Sequence, residues 1–442
     1  MDEEKAQLGS ILDNASTHRL TSVPPPSRLH GSTTICASMA VLALRFILLT
    51  TAVFALNALL PGRYELKNYI LNILRPNPYK RCEVFLDRSS PEEVFNALPV
   101  PWLYHSVSHT TMPLGATELS FWLNGDSAGG RFNVSASESL EPGEASITVD
   151  MYFNSTRTFE ESISIFFEVH VQLPVPKHPD VPYLMPPFET NLPLFDHTFD
   201  ESLGGVVRFS NVNIALYSGS LAAQSTLVAK TVVVTGSNRP HSPVEGMNII
   251  SGYFNVSQTL DLNAGDGTIT VRANLQPDSA EDATHPTTLV MSSRSGAIYG
   301  TIGLYAPFSP SSSGPGAFNV SASSAGMISP LRLTIVDHPA EAPLDLRASA
   351  TGSIDVRLRS EFEGTFTAQA VGPGRTAQVS WGPNGMPDPT GQARARHVQT
   401  EWVDDGQVSG SIWWGDENQG RGNVALRSDT GFTRLYLDEW AF

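Results

Sequence analysis

Four carboxylates close together in the chain, Asp345, Asp355, Glu361 and Glu363, are the residues best suited to bond cleavage. Paired Asp or Glu side chains cleave glycosidic bonds, one as the acid and the other as base or nucleophile. In an alternating strand pattern Asp345 and Asp355 take outward positions on adjacent strands. Outward acids on strands more commonly keep a sheet soluble or protect its edges. A second cluster holds Trp413 and Trp414, with Asp404, Asp405, Asp416 and Glu417 nearby. An exposed Trp stacks on sugar rings, which makes both tryptophans candidate glycan contacts, and neighbouring carboxylates can hold Ca²⁺. The same residues suit a terminal cap in which a Trp covers the last rung of a stack, and we favour that reading.

Other chemistry is sparse. His105, His109, His170, His178 and His197 are dispersed, with no metal-ligand spacing among them. His178-Pro-Asp180 and Asp196-His197 mark the two ends of a Pro-rich stretch and read as solvated loop residues. The sequence contains no P-loop, dinucleotide fingerprint or zinc-protease helix. No catalytic residue, metal or cofactor is expected.

The elements that would position these residues are β-strands. Phe-Asn-Val-Ser occurs at Phe132, Phe254 and Phe318. The first two copies extend in one register, with Leu140 matching Leu262, Gly143 matching Gly265, and Ile147 matching Ile269. Alternating apolar letters with a fixed glycine read as a reused strand–turn–strand unit. A second phrase places a glycine before an alternating strand at Gly267, Gly296, Gly326 and Gly352, spaced 26 to 30 residues apart, with a weaker copy at Gly431. Glycine at such a turn is expected to supply positive φ. A near-constant period without helical segments predicts stacked rungs, each covering its neighbour's apolar side. The expected fold is mainly β, either β-solenoid-like or an elongated β-sandwich. The insert 239–247 leaves the pairing of its two flanking strands open, and the Pro-rich stretch 173–193 reads as an ordered loop or linker.

Residues 35–60 form an apolar run long enough to span a bilayer, which takes about 20 residues. Its position after a polar tail predicts an uncleaved anchor, with Arg45 snorkelling toward the N-terminal side. Leu66, Ile70, Ile73 and Leu74 continue at helical spacing. Basic residues flank both sides, so charge leaves orientation open. In Phe-Asn-Val-Ser an inward Phe and Val send the Asn outward, making Asn133, Asn255 and Asn319, together with Asn154, glycosylation candidates; Asn14 is a fifth sequon. We therefore expect the large domain in the secretory lumen or outside the cell. Cys36 and Cys82 are the two cysteines, so no disulfide framework staples the β region. The net charge is −16 and the first 90 residues are mildly basic. That acidity argues against a nucleic-acid partner.

The order of the phrases resembles an adhesin-like β-repeat domain of fungal single-pass membrane proteins. The matching residues are Ile250-Ser-Gly252-Tyr-Phe254, Leu260-Asp-Leu262 with Gly267-Thr-Ile269, Leu289-Val-Met291 with Gly296-Ala-Ile298, and Leu344-Asp-Leu346 with Gly352-Ser-Ile354. Phe362-Glu-Gly364-Thr-Phe366 follows, and Val408-Ser-Gly410-Ser-Ile412 closes the series. The resemblance implies a right-handed solenoid-like fold, a membrane anchor and no established enzyme activity. The expected organisation is a disordered cytosolic tail (1–34), a transmembrane helix (35–60), a juxtamembrane stalk (61–114) and a first β-repeat region (115–172). A Pro-rich loop or linker (173–205) and the main β-repeat domain (206–442) complete it. The expected role is structural or adhesive, with the lipid bilayer and a cell-wall glycan or surface protein as partners. The alternative is a membrane-tethered enzyme acting on polysaccharide.

Overall fold

The computed structural model describes residues 85–87 and 104–437, apart from 116–117, 124–127, 142, 155–163, 179–180, 237–246, 279–284, 307–316, 341, 383–385, 405 and 417–420. The expected tail, transmembrane helix and helical part of the stalk lie outside these residues, as do both cysteines and Asn14. Among the described residues no helix is long and apolar enough to cross a membrane.

The described chain is mainly β. It opens with β1 (Phe85–Asp87), β2 (Tyr104–Pro113), β3 (Leu119–Trp122), β4 (Ala128–Ser137), β5 (Glu144–Asn154) and β6 (Ser164–Pro174). β1 and β2 fall in the segment expected to be a stalk, yet β2 pairs antiparallel with β5 along its length. The Pro-rich stretch, expected as an ordered loop or linker, also contains strands. It carries β7 (Tyr183–Met185), β8 (Phe188–Asn191) and β9 (Phe195–Phe199). Proline removes a ladder donor, so these strands are short and the prolines sit in the breaks between them, at Pro182, Pro186, Pro187 and Pro193. Each of the three still joins the parallel stack that follows.

That stack is built from β10 (Val207–Leu216), β11 (Ser220–Gly236), β12 (Ile249–Asn263), β13 (Thr268–Leu275), β14 (Thr287–Ser293), β15 (Ile298–Leu304), β16 (Phe318–Ser324), β17 (Leu331–Asp337), β18 (Leu344–Ala350) and β19 (Ile354–Arg357). Two parallel ladders run through it. The first pairs β3, β8, β10, β11, β12, β14, β16 and β18 in that order. The second pairs β4, β9, β11, β12, β13, β15, β17 and β19. β11 and β12 serve both. β12 turns between them at Ser257, where Val256 and Ser257 are buried in succession and the alternation breaks. β11 and β12 pair in parallel on both sides of the insert 239–247, which settles the pairing the sequence left open.

Alternation supplies the core. Val232, Leu260, Leu289, Val320 and Leu346 fall in register on five successive strands of the first ladder, each at most 2% exposed. Burying each such side chain contributes about 1.5–3 kcal/mol before entropy is counted. The inward residues of both ladders belong to one apolar cluster. The long Phe132 and Phe254 repeat proves only half structural. β5, which follows the first copy, pairs antiparallel with β2 and β6. β13, which follows the second, pairs parallel with β12 and β15.

The recurring glycines have a different reason from the one expected. None of Gly267, Gly296, Gly326, Gly352 and Gly431 has positive φ. They line a corner where successive rungs touch backbone to backbone. A Cβ on Gly296 would lie 1.9 Å from the Gly267 carbonyl oxygen, and one on Gly267 would lie 1.5 Å from that of Asn248. Serines lock the same corner. Ser293 donates to the Gly267 carbonyl at 2.7 Å and accepts from the Gly296 N–H at 2.8 Å. Ser428 repeats the pattern with Gly352 and Gly431. Gly296→Ala is expected to destabilise the domain by about 3 kcal/mol, since two backbones must separate. Gly115→Ala, where a Cβ meets nothing within 4 Å, is expected to be near neutral in the same chemical denaturation series.

The last rungs leave chain order. They comprise β20 (Gly364–Ala370), β21 (Ala377–Ser380), β22 (Arg396–Asp404), β23 (Gln407–Trp414), β24 (Asn423–Ser428) and β25 (Thr433–Tyr436). β24 lies between β18 and β20, parallel to both. β25 lies between β19 and β21 in the same way. The antiparallel hairpin β22–β23 then closes the first ladder against β20.

Candidate functional site

The carboxylates considered for catalysis do not converge. Asp345 is on an outward position of β18 in the first ladder and is bonded to Arg347 at 2.9 Å. Asp355 is on β19 in the second ladder, 3.5 Å from Arg357. Glu361 pairs with Arg359 at 3.6 Å, and the buried Glu363 pairs with Arg394 at 3.2 Å. Asp345 borders a shallow depression of about 460 Å³ with Asn319, Thr365, Arg421 and Asn423, and it is the one carboxylate among the described residues lining it. Acid–base cleavage of a sugar needs two facing carboxyl groups. No group of three or more metal-ligating side chains occurs among the described residues.

The tryptophans divide. Trp414 is 2% exposed and donates its indole N–H to the Ser360 carbonyl at 3.0 Å, so it offers no free face to a sugar. Trp413 is half-buried and stacks on His397 at 5.3 Å. Around them the end of the stack is tied down by ions. Arg394 bridges Asp388 and Glu363, and its guanidinium holds the Asp388 carboxyl well below the usual range. Arg396 donates to the Leu437 carbonyl at 2.8 Å and lies over the Trp414 ring at 5.7 Å. These contacts bury Trp414 and tie β22 and β23 to this end of the stack; of the acids noted beside the tryptophans, Asp405 and Glu417 lie outside the described residues.

The histidines are structural. His197 is buried, donates from Nδ1 to the Phe195 carbonyl at 3.1 Å, and accepts at Nε2 from Thr190 at 3.0 Å. Burial pushes its pKa down to about 4, against smaller opposing effects of that carbonyl and Asp196. His105 bonds Asp150 at 2.9 Å, and His109 bonds Thr148 at 3.1 Å. Asn133 and Asn255 lie in mid-strand and Asn319 near the start of β16, all at outward positions and half-buried between neighbouring strands. Asn133 has its amide 3.5 Å from the His170 ring. Asn154 lies at the end of β5.

A more distinctive surface lies on the outer side of the second ladder, and it was not read from the sequence. Tyr253 and Arg272 are in register on β12 and β13, with the guanidinium 5.6 Å from the ring centroid. Tyr299 and Arg332 are in register on β15 and β17, at 6.0 Å. Arg357 lies over Tyr436 at 5.3 Å and Arg434 over Phe432 at 4.2 Å. Tyr253 is 44% and Tyr299 37% exposed. Among the described residues Arg357 alone of these four arginines has a carboxylate partner, Asp355. A chain of net charge −16 thus gathers four cations and four aromatic rings on one side of one ladder. The signal was present in the alternation, since Arg272 and Arg332 hold outward places between buried apolar residues. It becomes visible only when strands are aligned rung by rung. No family model matches the chain, and no curated protein or solved structure does either.

Proposed function

We propose that the chain is a single-pass membrane protein whose β-rung domain is a non-catalytic structural or adhesive module, displayed in the secretory lumen or outside the cell. On this reading the two ladders form a β-solenoid, as the resemblance to adhesin-like fungal membrane proteins implies. Such a fold offers long, regular outer sides for contact. The observation that carries the reading is the row of tyrosines and arginines on the outer side of the second ladder, beside carboxylates tied to an arginine or a tyrosine hydroxyl. An enzyme acting on polysaccharide needs a different arrangement, with two free carboxyl groups across a groove.

The test is protease protection of the C-terminally tagged full chain in intact microsomes. Full protection of the tag is the expected result. Digestion of the tag would place the β domain in the cytosol and end the surface-protein reading. Release of new reducing ends from polysaccharides by the purified full chain would replace the adhesive role with the enzymatic one.

A further inference from the structure

We infer that the outer side of the second ladder binds a linear anionic polysaccharide along the stacking direction, its acidic groups on Arg272, Arg332 and Arg434 and its sugar rings against Tyr253 and Tyr299. The inference deepens the reading of this side as a contact surface and rests on it.

The argument is one of spacing and charge. Tyr253, Arg272, Tyr299 and Arg332 occupy four successive strands, so ring and cation alternate. Arg434 follows two strands after Arg332, with Asp355 between them. Neighbouring strands are about 4.8 Å apart, which puts the three cations roughly 10–12 Å from one another in sequence along the stack. Arg272 sits one outward position further along its strand than the other two, so the line through them bends. That interval suits a polymer with one acid per two-sugar repeat. It is wide for a nucleic-acid strand, which carries a phosphate about every 3.4 Å of axis. Guanidinium groups grip carboxylate or sulfate through two hydrogen bonds, and tyrosine rings give sugar a flat apolar platform. The acids on this side are engaged: Asp355 with Arg357, and Asp337 with the Tyr305 hydroxyl at 2.7 Å.

The experiment uses the full chain in lipid nanodiscs. The probes are hyaluronan, which carries one carboxylate per disaccharide, polygalacturonate, which carries one on every sugar, a neutral β-glucan and an oligo-dT strand. The variants are the triple Arg272→Ala, Arg332→Ala, Arg434→Ala and the single Arg332→Glu. The double Arg347→Ala, Arg427→Ala removes cations from the first ladder as a control. The expected result is binding of at least one acidic polysaccharide, weakened at least tenfold by the triple variant and by Arg332→Glu, and within twofold of the parent for the control. Unfolding midpoints are read alongside, and Arg332→Glu decides the matter if the triple variant is unfolded. Equal binding of the neutral glucan, tighter binding of oligo-dT, or indifference to the arginine changes overturns the inference. Adhesion through the neutral glucan alone would leave the adhesive role standing without this ligand. Digestion of the microsomal tag would remove the surface placement and leave the binding result to stand by itself.

Discussion

A chain ending at residue 420 is expected not to fold, although it loses only its last two strands. β24 and β25 are interior layers of the stack, and their removal separates β18 from β20 and β19 from β21 at once. Val424, Leu426, Leu435 and Leu437, each at most 2% exposed, leave the core with them. At about 1.5–3 kcal/mol apiece their burial alone approaches the whole net stability of a domain, about 5–15 kcal/mol. The lost contacts extend further. Ser428 donates to the Gly352 carbonyl at 2.7 Å, Thr433 to that of Gln369 at 2.8 Å, and Arg396 to that of Leu437 at 2.8 Å. The measurement is limited proteolysis with thermal unfolding of the full and shortened chains. A shortened chain that melts within a few degrees of the parent would mean that β18 and β20 can close the gap. A peptide of residues 421–442 added in trans is expected to restore protease resistance in part.

The second large effect is acid sensitivity between pH 6.5 and 4. His197 and His338 are buried and neutral, and burial pushes both pKa values from 6.5 down to about 4. His338 donates from Nε2 to the Ala342 carbonyl at 3.1 Å, and its Nδ1 has no partner among the described residues. Because the folded pKa lies below the unfolded one, the unfolded chain takes up protons first as pH falls. Stability is therefore complete above pH 6.5 and is lost progressively down to about pH 4. Each histidine contributes on the order of 3 kcal/mol to that loss. Burial raises the pKa of Asp261, and also that of Glu189, where Glu118 adds to it. These two oppose the trend, but both touch solvent and offset little of it. Denaturant melts at pH 7.5, 5.5 and 4.5 are expected to show a steep fall in unfolding free energy, with His197→Gln flattening the slope even if it lowers the whole curve. A parent protein equally stable at all three values would refute the account.

How much the sequence disclosed depended on how local the cause was. Phe132, Phe254 and Phe318 are each at most 1% exposed, as alternation requires, and the recurring glycines do mark one rung after another. The purpose assigned to those glycines was mistaken, because the close approach of two backbones involves residues far apart in the chain, from Gly267 against Asn248 to Gly431 against Gly352. Gly143 and Gly265, by contrast, do have positive φ, and their reason lies within their own turns. Ser257 shows the limit of period counting: it is buried where the pattern sends it outward, because the chain turns from one ladder to the other there. The tyrosine–arginine row escaped notice for the same reason as the order of the last rungs. Both depend on which strand lies beside which, and parallel pairing at long separation leaves no local mark. Trp414, for which a sugar contact and a cap were both open with the cap favoured, is buried, and it is this burial rather than its neighbours in sequence that distinguishes the two.

The misplaced final rung also bears on how the molecule can be made. A stack whose layers follow the order of synthesis can grow layer by layer as the chain emerges. Here β20 to β23 emerge before β24 and β25 exist, and must wait beside an open gap. The waiting interval leaves the facing edges of β18 and β20 and of β19 and β21 unpaired, which makes it the point at which a folding helper has most to protect.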